Sequence, residues 1–312
     1  MISIGNQTAF SASSFTEPFD YAVAHNFDAF EWFPDKKAQG SGWDDQDLSP
    51  ALRAQIRETA QARNMRLSVH ARWTVNPLLP EAAPLLLREI QLAKDLGAKV
   101  LVLHLYTEQR IPAYAKAILP LLPIAASSEL QIAIENTVHT SPSDFNEFFN
   151  QLNRSPHLDH VGMCFDMGHA NLCSATRNDY LRFLDNLDPT IPFIHLHLHE
   201  NWGDADSHLT VFTGPAAHND TGIRGLIRRL KQRGFSGSAI LEQWPQPASL
   251  LDQARERLLK IWNGEENTAT RKPIQTRKTT PEPQVSKSKS RDSGETRRPE
   301  ARVEATSCRI AK

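Results

Sequence analysis

"APLLLREIQLAKDLGAKVLVLH", Ala83–His104, carries two periodicities one after the other. Up to Leu96 the apolar side chains return every three or four positions, the spacing of one helix face, and Gly97 stops the pattern. From Lys99 the chain becomes a short apolar run, "KVLVLH", which reads as a strand and ends on the polar His104. The same unit recurs along residues 1–262. Its strands are expected at Ile2–Gly5, Asp28–Trp32, Arg66–His70, Lys99–His104, Gln131–Glu135, His160–Asp166, Pro192–His197 and Ser238–Glu242. Helical patterns lie between them. One opens at Ser49 with Pro50 in the first position, and another, "TGIRGLIRRLKQRGF", closes at Gly234.

Eight strands alternating with eight helices imply parallel pairing through right-handed crossovers. An open dinucleotide-binding sheet would need a G-x-G-x-x-G after its first strand, and "IGNQTAFSAS" has none. Eight units in about 260 residues match the usual size of a (β/α)8 barrel, so the fold class is α/β, a single TIM barrel.

Composition sets the surroundings. No apolar run approaches the ~20 residues of a membrane span, and "MISIGNQTAF" lacks the basic and apolar parts of a secretory signal. Cys164, Cys173 and Cys308 form no disulfide pattern, which fits a reducing cytoplasm. Residues 263–312 are polar and rich in Pro, Ser and Thr, and are expected to be a disordered tail. From Glu265 onward this tail has twelve Lys/Arg against seven Asp/Glu, so the rest of the chain is acidic. Such a tail can meet a polyanion by charge alone, or can simply be solvated.

The active site of such a barrel is built at the C-terminal ends of its strands. Six consecutive strands end there in metal-ligand types: His70, His104, Glu135, Asp166 with His169 just beyond, His197, and Glu242. Asp206 and His208 follow in the loop of "HLHLHENWGDADSH", His195–His208. Each would cost free energy to bury alone, and coordination of a divalent ion such as Zn2+ or Mn2+ removes that cost. Alternation puts His195, His197 and His199 on one face of their strand, about 6.6 Å apart pairwise. His197 is the best placed for the rim; His195 is expected deeper, filling a layer or supporting a ligand, and His199 in the loop. Trp32, Trp73 and Trp244 beside strand ends could stack on a substrate ring or pack the rim, and Arg72 could hold an anion or a neighbouring acid.

These residues fall into "IENT" at Ile134–Thr137, "FDMGHAN" at Phe165–Asn171, "HLHEN" at His197–Asn201, "DSH" at Asp206–His208 and "LEQW" at Leu241–Trp244. Over residues 1–262 the chain resembles the xylose-isomerase-like TIM-barrel superfamily, which includes sugar isomerases, epimerases and endonuclease IV. Resemblance to the epimerases implies one divalent ion held by Glu135, Asp166, His197 and Glu242, with both glutamates moving protons beside a polarised carbonyl and His169 contacting sugar oxygens. Asn136, Arg72, Trp73 and Trp244 are the expected substrate contacts. Resemblance to endonuclease IV implies instead up to three zinc ions, adding His70, His104, His169, Asp206 and His208 as ligands, and phosphodiester hydrolysis at abasic sites in DNA. A barrel without catalysis would be expected to lose ligands, and this one keeps the full set. The acidic body, and "NTVHTSP" where endonuclease IV is Gly-rich after its glutamate, put the isomerase or epimerase of a sugar, sugar phosphate or polyol first.

Overall fold

A computed structural model describes residues 2–37, 40–153 and 155–265. Eight strands appear among them: β1 (Ser3–Gln7), β2 (Ala29–Trp32), β3 (Arg66–His70), β4 (Val100–His104), β5 (Gln131–Glu135), β6 (Val161–Asp166), β7 (Phe193–Leu198) and β8 (Ser238–Leu241). All pair in parallel in sequence order, and β1 pairs with both β2 (Gly5 opposite Ala29) and β8 (Ile4 opposite Ala239), so the sheet closes. The fold is the expected TIM barrel. Closure leaves no free sheet edge and brings all eight strand ends to one rim. No helix among the described residues is long and apolar enough to cross a membrane. The tail expected to be disordered lies outside the described residues from 266 on. Within them, the last helix, Ser249–Asn263, runs one residue past the boundary drawn at 262 and is capped by Gly264.

The helices are more numerous than the eight expected. Three crossovers carry two each: Arg110–Ile118 with Leu122–Ser127, Met167–Leu172 with Tyr180–Asp185, and Pro215–His218 with Thr221–Gln232. Pro120 and Pro123 account for the first break, because proline lacks the N–H that would continue a helix. Elsewhere the local signals act as read. Ser49 accepts a hydrogen bond from the Leu52 N–H at the head of Pro50–Ala62, and Gly97 takes φ +75° at the end of Ala82–Leu96.

Apolar burial is split by the sheet. The larger cluster lies between strands and helices, where Phe30 meets Phe19 and Trp32 edge-on, at 5.2 and 5.0 Å between ring centres. Trp32, weighed as a stacking platform for a sugar, is completely buried against Trp43 and cannot reach a ligand. A second, small cluster of Val102, Ala133 and Cys164 fills part of the barrel interior. Glu31, Ser68 and His195 are buried polar residues on β2, β3 and β7. Substituting Gly97 with alanine forces a left-handed backbone on a residue with a Cβ that would sit 3.0 Å from Arg57 Cγ. Urea unfolding should show a loss of about 1–2 kcal/mol.

Candidate metal centre

Strand register delivers the ligand-type side chains. Glu135 on β5 lies opposite His104 on β4, and Asp166 on β6 opposite His197 on β7. Asp166 then turns the chain: its side chain accepts from the His169 N–H at 2.7 Å and caps the helix Met167–Leu172, which swings His169 over the rim. Asn136 fixes Asp166 from the side, its amide donating to the Asp166 carbonyl (2.9 Å) while the Asp166 N–H donates back (2.8 Å). Both ends of that side chain are engaged and the residue is completely buried. It therefore joins two strand ends, where a substrate contact had been expected.

Four carboxylates and six imidazoles meet in this mouth. His197 Nδ1 lies 3.2 Å from Glu242 Oε1, 3.5 Å from Glu135 Oε2 and 3.9 Å from Asp166 Oδ2. His70 Nε2 is 2.8 Å and His104 Nε2 3.4 Å from Glu135 Oε2, while His169 Nδ1 is 3.2 Å from Glu135 Oε1. Farther out, Asp206 Oδ2 stands 3.3 Å from both His169 Nε2 and His208 Nε2. The sequence-expected ligands Glu135, Asp166, His197, Glu242, His70, His104, His169, Asp206 and His208 are thus brought to one place.

His199 lies just past the end of β7, in the loop as expected, and its side chain turns into the same mouth. It is fully buried, with Nε2 3.1 Å from Asp166 Oδ1 and 3.7 Å from Glu242 Oε2. The period-2 alternation shared with His195 and His197 was the signal. Gly168 makes the room, since a Cβ there would fall 2.0 Å from His199 Cε1. Glu31 is a residue missed in the sequence. Its carboxylate is completely buried, accepting from Ser68 Oγ (2.8 Å) and His195 Nε2 (2.9 Å), with His197 Nε2 2.9 Å from its other oxygen. An acid inside the apolar run "DAFEW" was its trace. Glu200 is another. It accepts from the backbone N–H groups of Phe212, Gly214 and Ala216 at 2.9–3.0 Å, and so ties down the loop bearing Asp206 and His208.

The other expected contacts are spread more widely. Arg72 pairs with Asp45 and lies 3.4 Å from the buried Glu89, so its charge is taken up by neighbouring acids. Trp73 is exposed, and its carbonyl accepts from Tyr106 Oη. Trp244 packs edge-on against Tyr21, 5.5 Å between ring centres. Trp202, also exposed, helps to line a cavity of about 300 Å³ beside His199, with Met167, Asn171, Tyr180 and Asn201.

The electrostatics describe a place short of positive charge. Burial acts to raise the Glu135 carboxyl, but the imidazoles of His104, His197 and His70 outweigh it and hold the group well below the usual carboxylate range. Asp166 and Asp206 are also held low, against burial, by His169 with His199 and by His169 with His208. For Glu242 burial prevails and Asp166 and Glu135 add to it, pushing the carboxyl up to about 8. One of the four carboxyls is thus forced toward its neutral form, first by burial and then by the charge of Asp166 and Glu135. His197 Nδ1 is buried without a hydrogen-bond partner among those carboxylates, and Glu242 Oε2 likewise has none. A divalent cation fits there: one nitrogen and three carboxylates form a donor set suited to Zn2+ or Mn2+. Among the described residues, the groups whose donor atoms lie within 4.8 Å of one another include His70 with His104 and Glu135, His70 with His197 and Glu242, and His169 with His199, Asp206 and His208.

The profile of the xylose isomerase-like TIM barrel family matches residues 19–261. The chain belongs to that family. An uncharacterised protein of Methanocaldococcus jannaschii is 25% identical over 255 residues, 75% of this chain and 80% of the relative. Among solved structures, a D-tagatose 3-epimerase-like protein superposes with a TM-score of 0.64 at 21% identity, covering 85% of this chain and 99% of its own. The IOLI protein with a binding zinc atom does so at 0.64 and 17% identity, covering 84% and 99%. At these identities the likeness to the two structures is one of fold.

His208 generates a pH test of the outer group. Burial acts to lower its pKa, but Asp206 and Glu242 beside it outweigh that and raise the imidazole from 6.5 to about 9. A raised histidine stabilises the fold fully below its unfolded value, and that stability is lost as pH rises through the folded one. In chelator, His208→Asn should melt below the parent at pH 6, and the two should converge by about pH 10. Equal melting temperatures at pH 6 would contradict the pairing.

Proposed function

We propose that this chain is a divalent-metal-dependent isomerase or epimerase of a sugar, sugar phosphate or related polyol. The observation that carries the reading is the convergence of Glu135, Asp166 and Glu242 on the unpartnered His197 Nδ1. These four residues would hold one Zn2+ or Mn2+, and the outer groups leave room for up to three ions. When bound, the ion polarises a carbonyl and acidifies the adjacent C–H. Glu135 and Glu242 come from strand ends three apart round the rim, β5 and β8, and flank His197 Nδ1, so each can take or return a proton at a carbon beside that carbonyl. His169, 3.2 Å from Glu135 Oε1, is placed to hold a substrate hydroxyl. The exposed rings of Trp73 and Trp202 offer apolar faces to a sugar ring. A small carbohydrate-like molecule is the partner this requires, and the cytoplasm, with its reduced thiols, is the compartment consistent with the buried free Cys164 and Cys173.

A second reading rests on a separate observation. The groups around His104 and around Asp206 could each complete another ion, and neighbouring metals are the tool of phosphodiester hydrolysis. It would make the chain a zinc phosphodiesterase acting on abasic-site DNA. Against it stand the acidic body and the capture of Arg72 by Asp45 and Glu89.

Metal analysis of the purified chain and two assays decide between them. The first reading expects about one ion per chain and incorporation of solvent deuterium beside the carbonyl in a panel of ketoses and their phosphates. Glu135→Gln and Glu242→Gln should each lower that exchange by about 10²–10⁴-fold, the range for a lost acid–base group. Glu135→Gln should also weaken metal binding. Three ions with zinc-dependent cleavage of abasic-site DNA, lost in His104→Ala, would replace the first reading by the second.

A further inference from the structure

Glu31 touches no expected substrate position and sits one layer below the four proposed ligands. Its environment is nevertheless specific. It is completely buried: Oε2 accepts from Ser68 Oγ and His195 Nε2, and Oε1 lies 2.9 Å from His197 Nε2 without forming a directed hydrogen bond. An ionised carboxylate only accepts, so His195 Nε2 donates to it, and at 2.9 Å its charge disfavours a lone pair and favours a hydrogen on His197 Nε2. A neutral imidazole has one N–H. With that hydrogen on Nε2, the lone pair of His197 is left on Nδ1, the atom that lies among Glu135, Asp166 and Glu242.

We propose that Glu31 is a positioning residue that fixes the His197 ring and its tautomer, so that Nδ1 presents its lone pair to a divalent cation. This rests on the metal-site reading above and deepens it. The contact between His197 Nε2 and Glu31 is close but off the hydrogen-bond direction. The carboxylate therefore acts on this ring by charge and contact, and is itself held by Ser68 and His195. Those two donors on Oε2 keep the Glu31 plane from turning away. The result is a rigid relay from β3 and β7 through β2 to the rim, of the kind that orients metal-bound histidines.

Two measurements on the full-length chain test the assignment. In the metal-free parent at a pH where His197 is neutral, long-range ¹⁵N–¹H spectra should show its Nε2 protonated and its Nδ1 bare. In a Co2+ titration followed by visible absorption, Glu31→Gln should bind about 10- to 100-fold more weakly than the parent, the usual cost of losing such a partner. A glutamine can offer its N–H to His197 Nε2 and so favour the opposite tautomer. Glu31→Asp keeps the charge and should recover part of the affinity, which a purely space-filling role would not produce. Ser68→Ala should lie between Glu31→Gln and the parent. A bare Nε2 in the parent, or unchanged Co2+ affinity in folded Glu31→Gln, overturns the proposal. Should Glu31→Gln fail to fold, the parent's tautomer and the Ser68→Ala titration decide it. Should the parent bind no divalent ion, the metal-dependent function falls and the tautomer alone decides the role of Glu31.

Discussion

Everything at the rim depends on keeping carboxylates charged where water is scarce. Glu135 and Asp166 are buried completely, which no protein tolerates for isolated ions, while Glu242, almost as buried, is pushed toward its neutral form. Glu135 and Asp166 are surrounded by imidazoles from neighbouring strands, so the barrel's closure is what keeps them charged. Opening the sheet anywhere between β2 and β8 would separate Glu31, His70, Glu135 and His197, which lie far apart in sequence and adjacent only in the ring. Fold and chemistry share one constraint here.

The histidines do not share the work equally. His197 is central: one nitrogen faces the upper carboxylates and the other Glu31. His70 and His104 serve Glu135, while His169, His199 and His208 gather around Asp166 and Asp206. The mouth therefore divides into an inner set and two flanks sharing carboxylates with it. That division is why one ion and several ions are both chemically reasonable, and why counting bound metal discriminates between reaction classes.

Much of this is legible in the sequence alone. The alternation of 3.6-residue and strand-like patterns gives the barrel, because each helix must cover one face of a sheet that can only be parallel. Strand ends mark the rim, and nine of the polar residues there meet in space. What stayed hidden depends on depth and on partners. Glu31 lies mid-strand, where an acid has no local meaning until Ser68 and His195 stand beside it. His199 follows the last strand residue by one, and only the absence of a side chain at Gly168 allows it inward. Asn136 and Arg72 carried the right functional groups, but hydrogen bonding to Asp166 and pairing with Asp45 are tertiary facts that spacing does not encode.

The close approach of Gly168 to His199 has a consequence for how related chains can be read. The two positions occupy a single volume, although one lies in the helix after β6 and the other just past β7. A methyl group at the first would evict the ring at the second, and with it the contact to Asp166. Glycine in "DMGH" is thus a vacancy held for an imidazole. In a homologous barrel, a bulkier residue at that point should accompany a smaller one at the histidine, and the mouth would then be wider on the side of β7. The shape of the entrance becomes a property that two letters, far apart in the text of the sequence, spell together.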